Sequence, residues 1–259
     1  MHIVTASNNN YAKHLGVMLT SLLENVNKDI DIHIYVIDGN ISNENKSELQ
    51  KVVTRFNIKL NFIMVDNDLF TSFKVNENLG YISIETYYRV IIPNILGNDV
   101  TKAIYLDCDL ILRDDISKLW EVNIDNYYLA AVEDKYKKRK KVLSIPRTSI
   151  YFNAGVLLIN LKKWRENNIP NQVIQFIENN PQKLKLMDQD ALNAILHRNC
   201  LKLDYTWNYA TGYWNQFKID NPSIIHFTGP NKPWNSKTRY NHEYYKYLNL
   251  SKWGQGSSL

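Results

Sequence analysis

The sequence predicts an α/β fold, with helices flanking a mostly parallel sheet. Short apolar segments alternate with segments that carry apolar residues at helical spacing, and a polar run directly follows the first of these strands. The order strand–helix–strand–helix–strand favours a Rossmann-like sheet with right-handed crossovers. The 259 residues, 44% of them hydrophobic, suffice for one large domain, and no linker-like tract or repeat divides them. We predict one domain over residues 1–240 and a short helical, aromatic segment at 241–259.

The first half of the chain has the clearest periodicity. Residues 2–6 form an apolar strand, and the polar run 7–10 after it predicts a turn at the carboxyl edge of the sheet, where ligands bind. A helical stripe follows, with spacings of three and four: Leu15, Leu19, Leu22 and Val26. We predict further strands at 30–37, 60–65 and 102–106, a helix at 42–56 capped by Ser42, and a helix at 81–95 that ends near Pro93.

The second half is less regular. Apolar runs predict strands at 128–132, 156–159 and 223–227, and helical spacing predicts helices at 164–179 and 189–197. There is no G-x-G-x-x-G after the first strand and no G-x-x-x-x-G-K-[ST]. These two absences argue against a dinucleotide-dependent dehydrogenase and against a P-loop nucleotide hydrolase.

Composition and charge narrow the function classes. The two cysteines, Cys108 and Cys200, do not form a disulfide framework, and the N-terminus lacks a signal-peptide pattern, so we expect a cytoplasmic protein without a membrane span. The net charge is +5, and a basic run occupies residues 135–141. A solvated loop is the favoured interpretation of this run; contact with anionic lipid headgroups or with an acidic acceptor are the alternatives. No nucleic-acid-binding motif accompanies it, so we predict no nucleic-acid partner.

Two segments predict a metal–diphosphate site. Asp107 and Asp109 flank Cys108 at the end of an apolar strand, and residues i and i+2 of an extended chain point the same way. Both carboxylates can therefore reach one hard cation, although a D-x-D pair alone is a weak signal. The second segment starts at His226, which can supply a third ligand. Glycine at 229 permits close approach of the backbone, and the lysine at 232 can neutralise phosphate.

Three other segments add polar groups to the predicted site. Residues 6–10 (Ala-Ser-Asn-Asn-Asn) can bind a base or ribose, but they are also good turn formers. Residues 151–155 (Tyr-Phe-Asn-Ala-Gly) place an amide and two small residues before a buried strand, where a ligand can approach the backbone. Residues 187–190 (Met-Asp-Gln-Asp) begin a helix that Asp188 can cap, or they clamp sugar hydroxyls. Each segment alone is typical of ordinary turns and helix starts.

Taken together, these motifs resemble glycosyltransferase family 8, and most of all its bacterial lipooligosaccharide and lipopolysaccharide galactosyl- and glucosyltransferases. The matching segments span nearly the whole chain: residues 6–11, 83–89, 105–109, 152–164, 188–193 and 226–234. The resemblance implies a GT-A fold, a UDP-hexose donor (UDP-galactose or UDP-glucose), Mn²⁺ with Mg²⁺ as the alternative, and transfer with retention of anomeric configuration to a lipid- or protein-linked glycan.

The resemblance also implies roles for residues at matching positions. Metal ligands would be Asp107, Asp109 and His226, with Asp107 also touching ribose next to Cys108. The diphosphate would contact Gly229 and Lys232, and the uracil and ribose would contact Ala6, Asn8 and Asn10. The donor sugar would be lined by Arg89, Asp134, Asn153, Ala154, Gly155, Asp188 and Gln189. Glu133, beside Asp134, is an alternative for the sugar contact.

The retaining step stays open at this stage. The resemblance places Gln189 near the anomeric carbon, but an amide is a poor nucleophile. Asp190 is the better candidate for a covalent intermediate, and Asp188 and Asp190 can stabilise an oxocarbenium-like carbon. We favour attack by the acceptor on the face that the leaving phosphate departs from, with that phosphate as the base.

The sequence also departs from its relatives. Many of them carry an acid in the first turn, where this chain has Asn8 or Asn9. Tyr81 and Leu186 differ from lactose-transferring relatives, which predicts a different acceptor. The aromatic C-terminal segment is either the stub of a membrane-attachment tail or a final packing helix. The predicted function is surface-glycan synthesis, with glycosylation of a protein-linked glycan, or silent UDP-sugar binding, as alternatives.

Overall fold

A computed structural model describes residues 1–71, 73, 75, 80 and 83–255 of the chain. Its strands are, in chain order, β1 (His2–Asn8), β2 (His33–Gly39), β3 (Leu60–Met64), β4 (Lys102–Leu106), β5 (Leu110–Leu112), β6 (Leu129–Glu133), β7 (Phe152–Asn160), β8 (Cys200–Leu203), β9 (Tyr209–Ala210) and β10 (Ile224–His226). Its α-helices are α1 (Ala12–Asn25), α2 (Asn43–Thr54), α3 (Ile92–Ile95), α4 (Ser117–Trp120), α5 (Arg139–Val142), α6 (Leu161–Glu166), α7 (Ile169–Asn179), α8 (Met187–Leu196) and α9 (Asn241–Ser251). Short 3₁₀ helices include Asn9–Tyr11, Ile84–Ile91 and Tyr205–Asn208.

Seven strands form a mixed sheet in the order β3-β2-β1-β4-β7-β6-β8. Strands β3, β2, β1 and β4 run parallel, whereas β7 is antiparallel to β4 and to β6. A smaller, separate sheet has the strand order β5-β10-β9, and His226 is the last residue of β10. The predicted α/β class is confirmed, with β7 as an antiparallel strand in its centre.

Two apolar layers cover the two faces of the large sheet. Successive strand residues point to opposite faces, so Ile3 packs with the residues of α1 and α2 while Val4 packs on the other side. On that other side lie the 3₁₀ helix Ile84–Ile91 and the helices α6, α7 and α8. Packing on both faces thereby fixes the positions of β1 and β4, whose carboxyl ends carry polar side chains.

Several predicted elements are confirmed. Strand β4 has the predicted bounds, β1 and β3 differ from prediction by one or two residues, and α1 buries the predicted stripe. Helix α2 begins after Ser42, whose side chain accepts a hydrogen bond from the Asn45 backbone N–H. Strand β2 begins at His33 rather than at residue 30.

Three local predictions are wrong. The predicted helix at 81–95 is a 3₁₀ helix over Ile84–Ile91 followed by α3, and Pro93 lies at the start of α3, where its missing N–H costs nothing; residues 81–82 lie outside the described part. The predicted helix at 164–179 is divided into α6 and α7, because Asn168 adopts a left-handed conformation before Pro170. Asp188 lies inside α8 and does not cap it.

The C-terminal aromatic segment forms a helix that packs on the domain. Tyr244 and Tyr247 of α9 are buried in an aromatic cluster with Val17 of α1, whereas Tyr245 is largely exposed. Asn25 of α1 donates a hydrogen bond to the Tyr247 hydroxyl. This arrangement corresponds to the packing-helix interpretation of the segment. Within the described residues, no helix has the length and apolar character that a bilayer span requires.

Candidate active site

A cavity of about 420 Å³ opens where the carboxyl ends of β1 and β4 meet the end of β10. Its volume is in the range of small-molecule sites. The chain reverses its direction of strand addition between β1 and β4, and this switch point is where open α/β sheets leave a crevice for ligands. The predicted site residues line this cavity, with the exceptions of Asn10 and Asp190.

Asp107, Asp109 and His226 form the centre of the cavity wall. One ligand-type atom from each of the three residues lies within 4.8 Å of the other two. His226 Nε2 is 3.2 Å from Asp109 Oδ1 and 3.7 Å from Asp107 Oδ2. The Phe227 backbone N–H donates to the Asp109 carbonyl, which joins the two sheets at this point. Two carboxylates and one imidazole suit Mn²⁺ or a similar divalent cation, so the residues present fit a metal.

Asn208 holds the His226 ring in the orientation that a ligand needs. Nδ1 of this buried histidine is 2.9 Å from the Asn208 side-chain oxygen, which assigns the proton to Nδ1. The lone pair of Nε2 then faces the two carboxylates. The Asn208 amide nitrogen donates to Asn153 Oδ1 at 2.8 Å, and this bond fixes which way the amide points.

Lys232 is buried against the same group of ligands. Its ammonium contacts Asp109 Oδ2 and the Phe227 carbonyl. Burial alone would raise the pKa of the Asp109 carboxyl, but Lys232 and His226 hold that pKa well below its usual range. Asp109 is therefore a carboxylate throughout the physiological pH range.

Glycine is required at two positions of the wall. A Cβ at Gly155 would lie 2.3 Å from His226 Cε1 and 2.6 Å from Asp107 Oδ2, so this glycine makes room for the metal-ligand side chains themselves. Gly229 has φ +83° in the loop after β10, a conformation that side chains rarely adopt. Its backbone lines the cavity with no Cβ in the way.

Arg89 links two carboxylates below the cavity. This buried guanidinium lies 3.0 Å from Asp107 Oδ1 and 2.9 Å from Asp188 Oδ2, and it contacts the Ala154 carbonyl. Burial alone would lower the pKa of Arg89, but the two carboxylates raise it. Burial raises the pKa of Asp188 to about 6, although Arg89 opposes this change. Asp188 Oδ2 is buried next to Arg89 Nε, and the Thr86 hydroxyl donates to Asp188 Oδ1.

A network of side-chain amides borders the same region. Asn153 donates to Asp134 Oδ2 at 2.8 Å, and the Gln189 oxygen accepts from the Ala154 backbone N–H at 3.1 Å. The Gln189 nitrogen then lies 3.3 Å from Asp134 Oδ2. Burial raises the pKa of Asp134. Its neighbour Glu133 pairs with lysines instead of lining the cavity, so Asp134 is the acid that lies in the cavity wall.

The first turn shows why Asn10 lies outside the cavity. The Asn8 side-chain oxygen accepts a hydrogen bond from the Tyr11 N–H, and this cap begins the 3₁₀ helix Asn9–Tyr11. The tight turn exposes Asn10 to solvent and brings Tyr11 to the cavity. The Asn8 amide also donates to Glu85 Oε2 at 3.2 Å, so an acid from a distant segment contacts this turn. Cys108 is buried and its thiol donates to the Ala6 carbonyl.

Asp190 lies behind the cavity, fully buried. Arg139 holds both of its oxygens, with Nε–Oδ1 3.1 Å and an Nη–Oδ2 distance of 2.8 Å. The Tyr151 hydroxyl and the Leu186 backbone N–H also donate to it. Asp190 does not line the cavity, whereas Gln189 does, because successive residues of a helix face different directions.

Sequence patterns did not indicate Asn208, Thr86 or Arg139. Asn208 comes from a 3₁₀ helix without a recognisable motif, and Thr86 donates to Asp188 Oδ1 from the matching segment 83–89, of which only Arg89 was given a role. Arg139 stood in a run of charges that a solvated loop explains equally well. The buried Asp190 carboxylate needs donors and the buried His226 Nδ1–H needs an acceptor, but the burial that creates these needs is visible only in the fold.

Comparison with known proteins decides the family. The model of glycosyl transferase family 8 matches residues 2–238. The chain belongs to glycosyltransferase family 8. General stress protein A of Bacillus subtilis (strain 168) is 38% identical over 98% of this chain and 94% of its own length. Lipopolysaccharide 1,3-galactosyltransferase of Salmonella typhimurium is 27% identical over 89% of this chain and 72% of its own.

A solved structure shows the same fold. The galactosyltransferase LgtC, in complex with donor and acceptor sugar analogs, superposes with a TM-score of 0.89 at 26% identity and covers 96% of both chains. The fold of this family 8 enzyme is therefore GT-A. Glycosyltransferases of this fold typically use a nucleotide sugar and a divalent metal, and the Asp107–Asp109–His226 group is a candidate metal site.

Proposed function

We propose that this family 8 enzyme transfers galactose or glucose from a UDP-hexose to a glycan acceptor, with retention of anomeric configuration, in the synthesis of a bacterial surface glycan. The observation that carries the proposal is the pairing of Asp107, Asp109 and His226 with the buried Lys232 in one cavity. A diphosphate leaving group gains negative charge as it departs, and a metal held by these ligands together with the Lys232 ammonium would stabilise that charge. The relation to a lipopolysaccharide galactosyltransferase supports a surface glycan.

The nucleotide would occupy the end of the cavity formed by β1. Ala6 and Asn8 line this end, and we assign them to uracil and ribose, with Asp107 and Cys108 beside the ribose. Tyr11 lines the same end and takes the place that the sequence predicted for Asn10. The diphosphate would bind the Gly229 backbone and Lys232.

Asp107, Asp109 and His226 would hold Mn²⁺, or Mg²⁺ as the alternative. Bound there, the cation would neutralise the diphosphate and stabilise charge on the departing phosphate. Lys232 adds a second positive charge that the fold holds in place, so little reorganisation is needed as negative charge develops on the phosphate. Asn208 keeps the His226 ring fixed throughout.

The donor sugar would lie between α8 and the start of β7. Asp188 lines the cavity, and we assign its carboxylate to a sugar hydroxyl. Asp134 can accept another, because its oxygen points to the cavity beside Asn153 and Gln189. Arg89 keeps the Asp188 and Asp107 carboxylates apart and charge-balanced.

For the transfer step, the burial of Asp190 favours same-face attack. The bond from the anomeric carbon to the β-phosphate oxygen breaks, the acceptor hydroxyl oxygen bonds to that carbon, and its proton passes to the leaving phosphate. The Gln189 oxygen is held by the Ala154 N–H, so the side chain has a fixed position beside the donor sugar. Behind the cavity, Asp190 accepts hydrogen bonds from the Tyr151 hydroxyl and from the Leu186 backbone N–H, and it thereby positions Tyr151 and the start of α8.

The deciding experiment is hydrolysis of UDP-sugars by the purified protein. We expect slow release of UDP from UDP-galactose or UDP-glucose in the presence of Mn²⁺, weaker release with Mg²⁺ and none with EDTA. Asp109→Asn should abolish this release, while the control Asp114→Asn, which changes an acid on the loop after β5, should keep it. NMR of a transfer product should show the α anomer. Hydrolysis that is equal with EDTA, or an inverted product, would refute the proposal.

A further inference from the structure

The basic segment, residues 135–141, contacts the cavity through its first two residues. Lys135 and Tyr136 line the cavity, and α5 occupies the last part of the segment. Arg139 anchors it through the ion pair with the fully buried Asp190 and through a contact with the Lys183 carbonyl. The Tyr136 backbone N–H donates to Asp134 Oδ1. Residues 135–138 and 141 are exposed, as a solvated loop predicts, while Arg139 ties the segment to the domain.

Lys135 lies at the cavity itself. Its Cδ and Nζ lie over Gly212, where a Cβ would be 2.3 Å and 2.7 Å from those atoms. The ammonium is 5.0 Å from the centre of the Tyr136 ring, and no carboxylate of the described residues lies within salt-bridge distance of it. This cation is exposed to whatever ligand occupies that wall.

The charge around the segment is strongly unbalanced. Glu133 is its neighbouring acid, and three lysines already share that carboxylate: Lys137 at 3.3 Å, Lys140 at 3.6 Å and Lys202 at 2.9 Å. Lys138 and Lys141 are exposed and make no salt bridge with the described acids. This excess of positive charge lies beside Lys135 and favours an anionic group at that side of the cavity, whereas acids such as Asp107 and Asp109 line other parts of the wall.

The groups assigned to the nucleotide and the metal lie elsewhere on the wall. The ligand groups that we assign to the nucleotide and metal come from β1, β4 and the loop after β10, whereas Lys135 and Tyr136 face Gly212 and Tyr213. Asp134, which we assign to the donor sugar, adjoins the segment through the Tyr136 N–H, so the cavity beside Lys135 borders the sugar that is transferred, where the acceptor must bind.

From these positions we propose that the acceptor carries a phosphate next to the sugar that is extended, and that Lys135 and the basic segment bind this phosphate. The inference rests on the proposed transferase function and names the class of its acceptor. Lysines suit the role, because an ammonium acts on phosphate as a point charge from several directions. The guanidinium of Arg139 is already engaged by Asp190 and acts as a positioning group for the segment.

The test is equilibrium binding of matched small acceptors by calorimetry, with UDP and Mn²⁺ present. Methyl glucoside and methyl galactoside are compared with their 6-phosphates and with their anomeric glycerophosphate diesters. We expect at least one phosphorylated form to bind about tenfold more tightly than its neutral partner, as a hydrogen-bonded charge implies. This preference should weaken with added salt. Lys135→Gln should reduce it about threefold or more, and the control Lys162→Gln, an exposed lysine of α6, should leave it unchanged.

The outcomes separate this inference from the proposed function. UDP titration of the same samples reports on the donor site: failure to bind UDP refutes the transferase proposal, while phosphate selectivity is read independently. Equal binding of neutral and phosphorylated acceptors, or a preference that Lys135→Gln does not change, overturns the inference. Binding to phosphatidylcholine vesicles with 20% phosphatidylglycerol that depends on Lys135, without binding of phosphorylated sugars, would assign the segment to a membrane instead.

Discussion

Asp109 shows how a single residue serves both stability and chemistry. It lies between the Lys232 ammonium and His226 Nε2 in a largely buried position. A buried carboxylate of this kind balances the lysine in the fold, while its other oxygen faces the metal-ligand cluster. Removing the charge leaves a buried lysine without its counter-ion, and this cost is distinct from the loss of a metal ligand.

We predict that Asp109→Asn lowers kcat/KM for UDP-sugar hydrolysis by about 10³ or more and the free energy of unfolding by about 3 kcal/mol. The double variant Asp109→Asn/Lys232→Met should recover most of the stability, because it also removes the unpaired lysine, but none of the activity. Urea unfolding and the hydrolysis assay measure the two effects. A double variant as unstable as the single one would show that the ion pair is not the source of the loss.

At this scale the sequence predicts the residues that end strands but not their partners. Asp107 and Asp109 follow β4 and His226 ends β10, so each stands at the end of an apolar strand where ligands commonly bind, although the two strands belong to different sheets. Asn208 and Arg139 satisfy His226 and Asp190 from distant segments. Pairing across such distances depends on loop paths that no local pattern encodes.

At the scale of the elements, apolar periodicity predicts where strands and helices lie, but it does not predict the direction of a strand. The run at 156–159 predicts a buried strand, yet β7 extends from Phe152 to Asn160 and is antiparallel to both neighbours. A strand buried on both faces reads as a continuous apolar run in either direction. The break between α6 and α7 was missed for a similar reason: the left-handed Asn168 interrupts the backbone without interrupting the helical spacing of apolar residues.

The end of α9 gives a prediction at the scale of one element. Lys252 follows this helix with φ 53°, a left-handed conformation that costs less for glycine than for lysine. Lys252→Gly should therefore raise the free energy of unfolding by about 0.5–1 kcal/mol. In the matched control, Lys246→Gly inside α9, the same change should lower it by about 1 kcal/mol. Urea unfolding measures both, and a loss of stability in Lys252→Gly would contradict the assignment of strain to this position.

The molecule as a whole gathers segments from across its sequence into one charged cavity. Carboxylates come from β4, β6 and α8, and the balancing cations come from the 3₁₀ helix Ile84–Ile91 and from the loop after β10. The parallel arrangement of β1 and β4 made this convergence predictable. The charge balance was not predictable, because it depends on which acid each cation finally meets.

This balance has consequences for stability as a function of pH. The His14 ring stacks on Trp234, with 3.5 Å between the ring centres, and its Nδ1 contacts the Tyr244 hydroxyl. Burial in this position, together with the nearby charge of Lys13, lowers the pKa of His14 to about 4. Below pH 6.5 the unfolded chain therefore binds a proton at this residue that the folded chain does not, and stability falls as the pH drops towards 4. Asp188, with its pKa raised to about 6, acts in the opposite direction: the folded chain holds a proton between about pH 6 and 3.8, which adds stability.

Replacing His14 should expose its share of this dependence. His14→Phe keeps an aromatic ring on Trp234 and removes the titrating group, so the variant should gain stability relative to the wild type as the pH falls from 7 to 4. The gain is at most about 3 kcal/mol, and partial exposure of the ring reduces it. Urea unfolding at pH 7, 6, 5 and 4 measures the difference, with His242→Phe, whose side chain is 72% exposed, as the control. A difference that changes no more with pH than that of the control would mean that the fold does not oppose the protonation of His14.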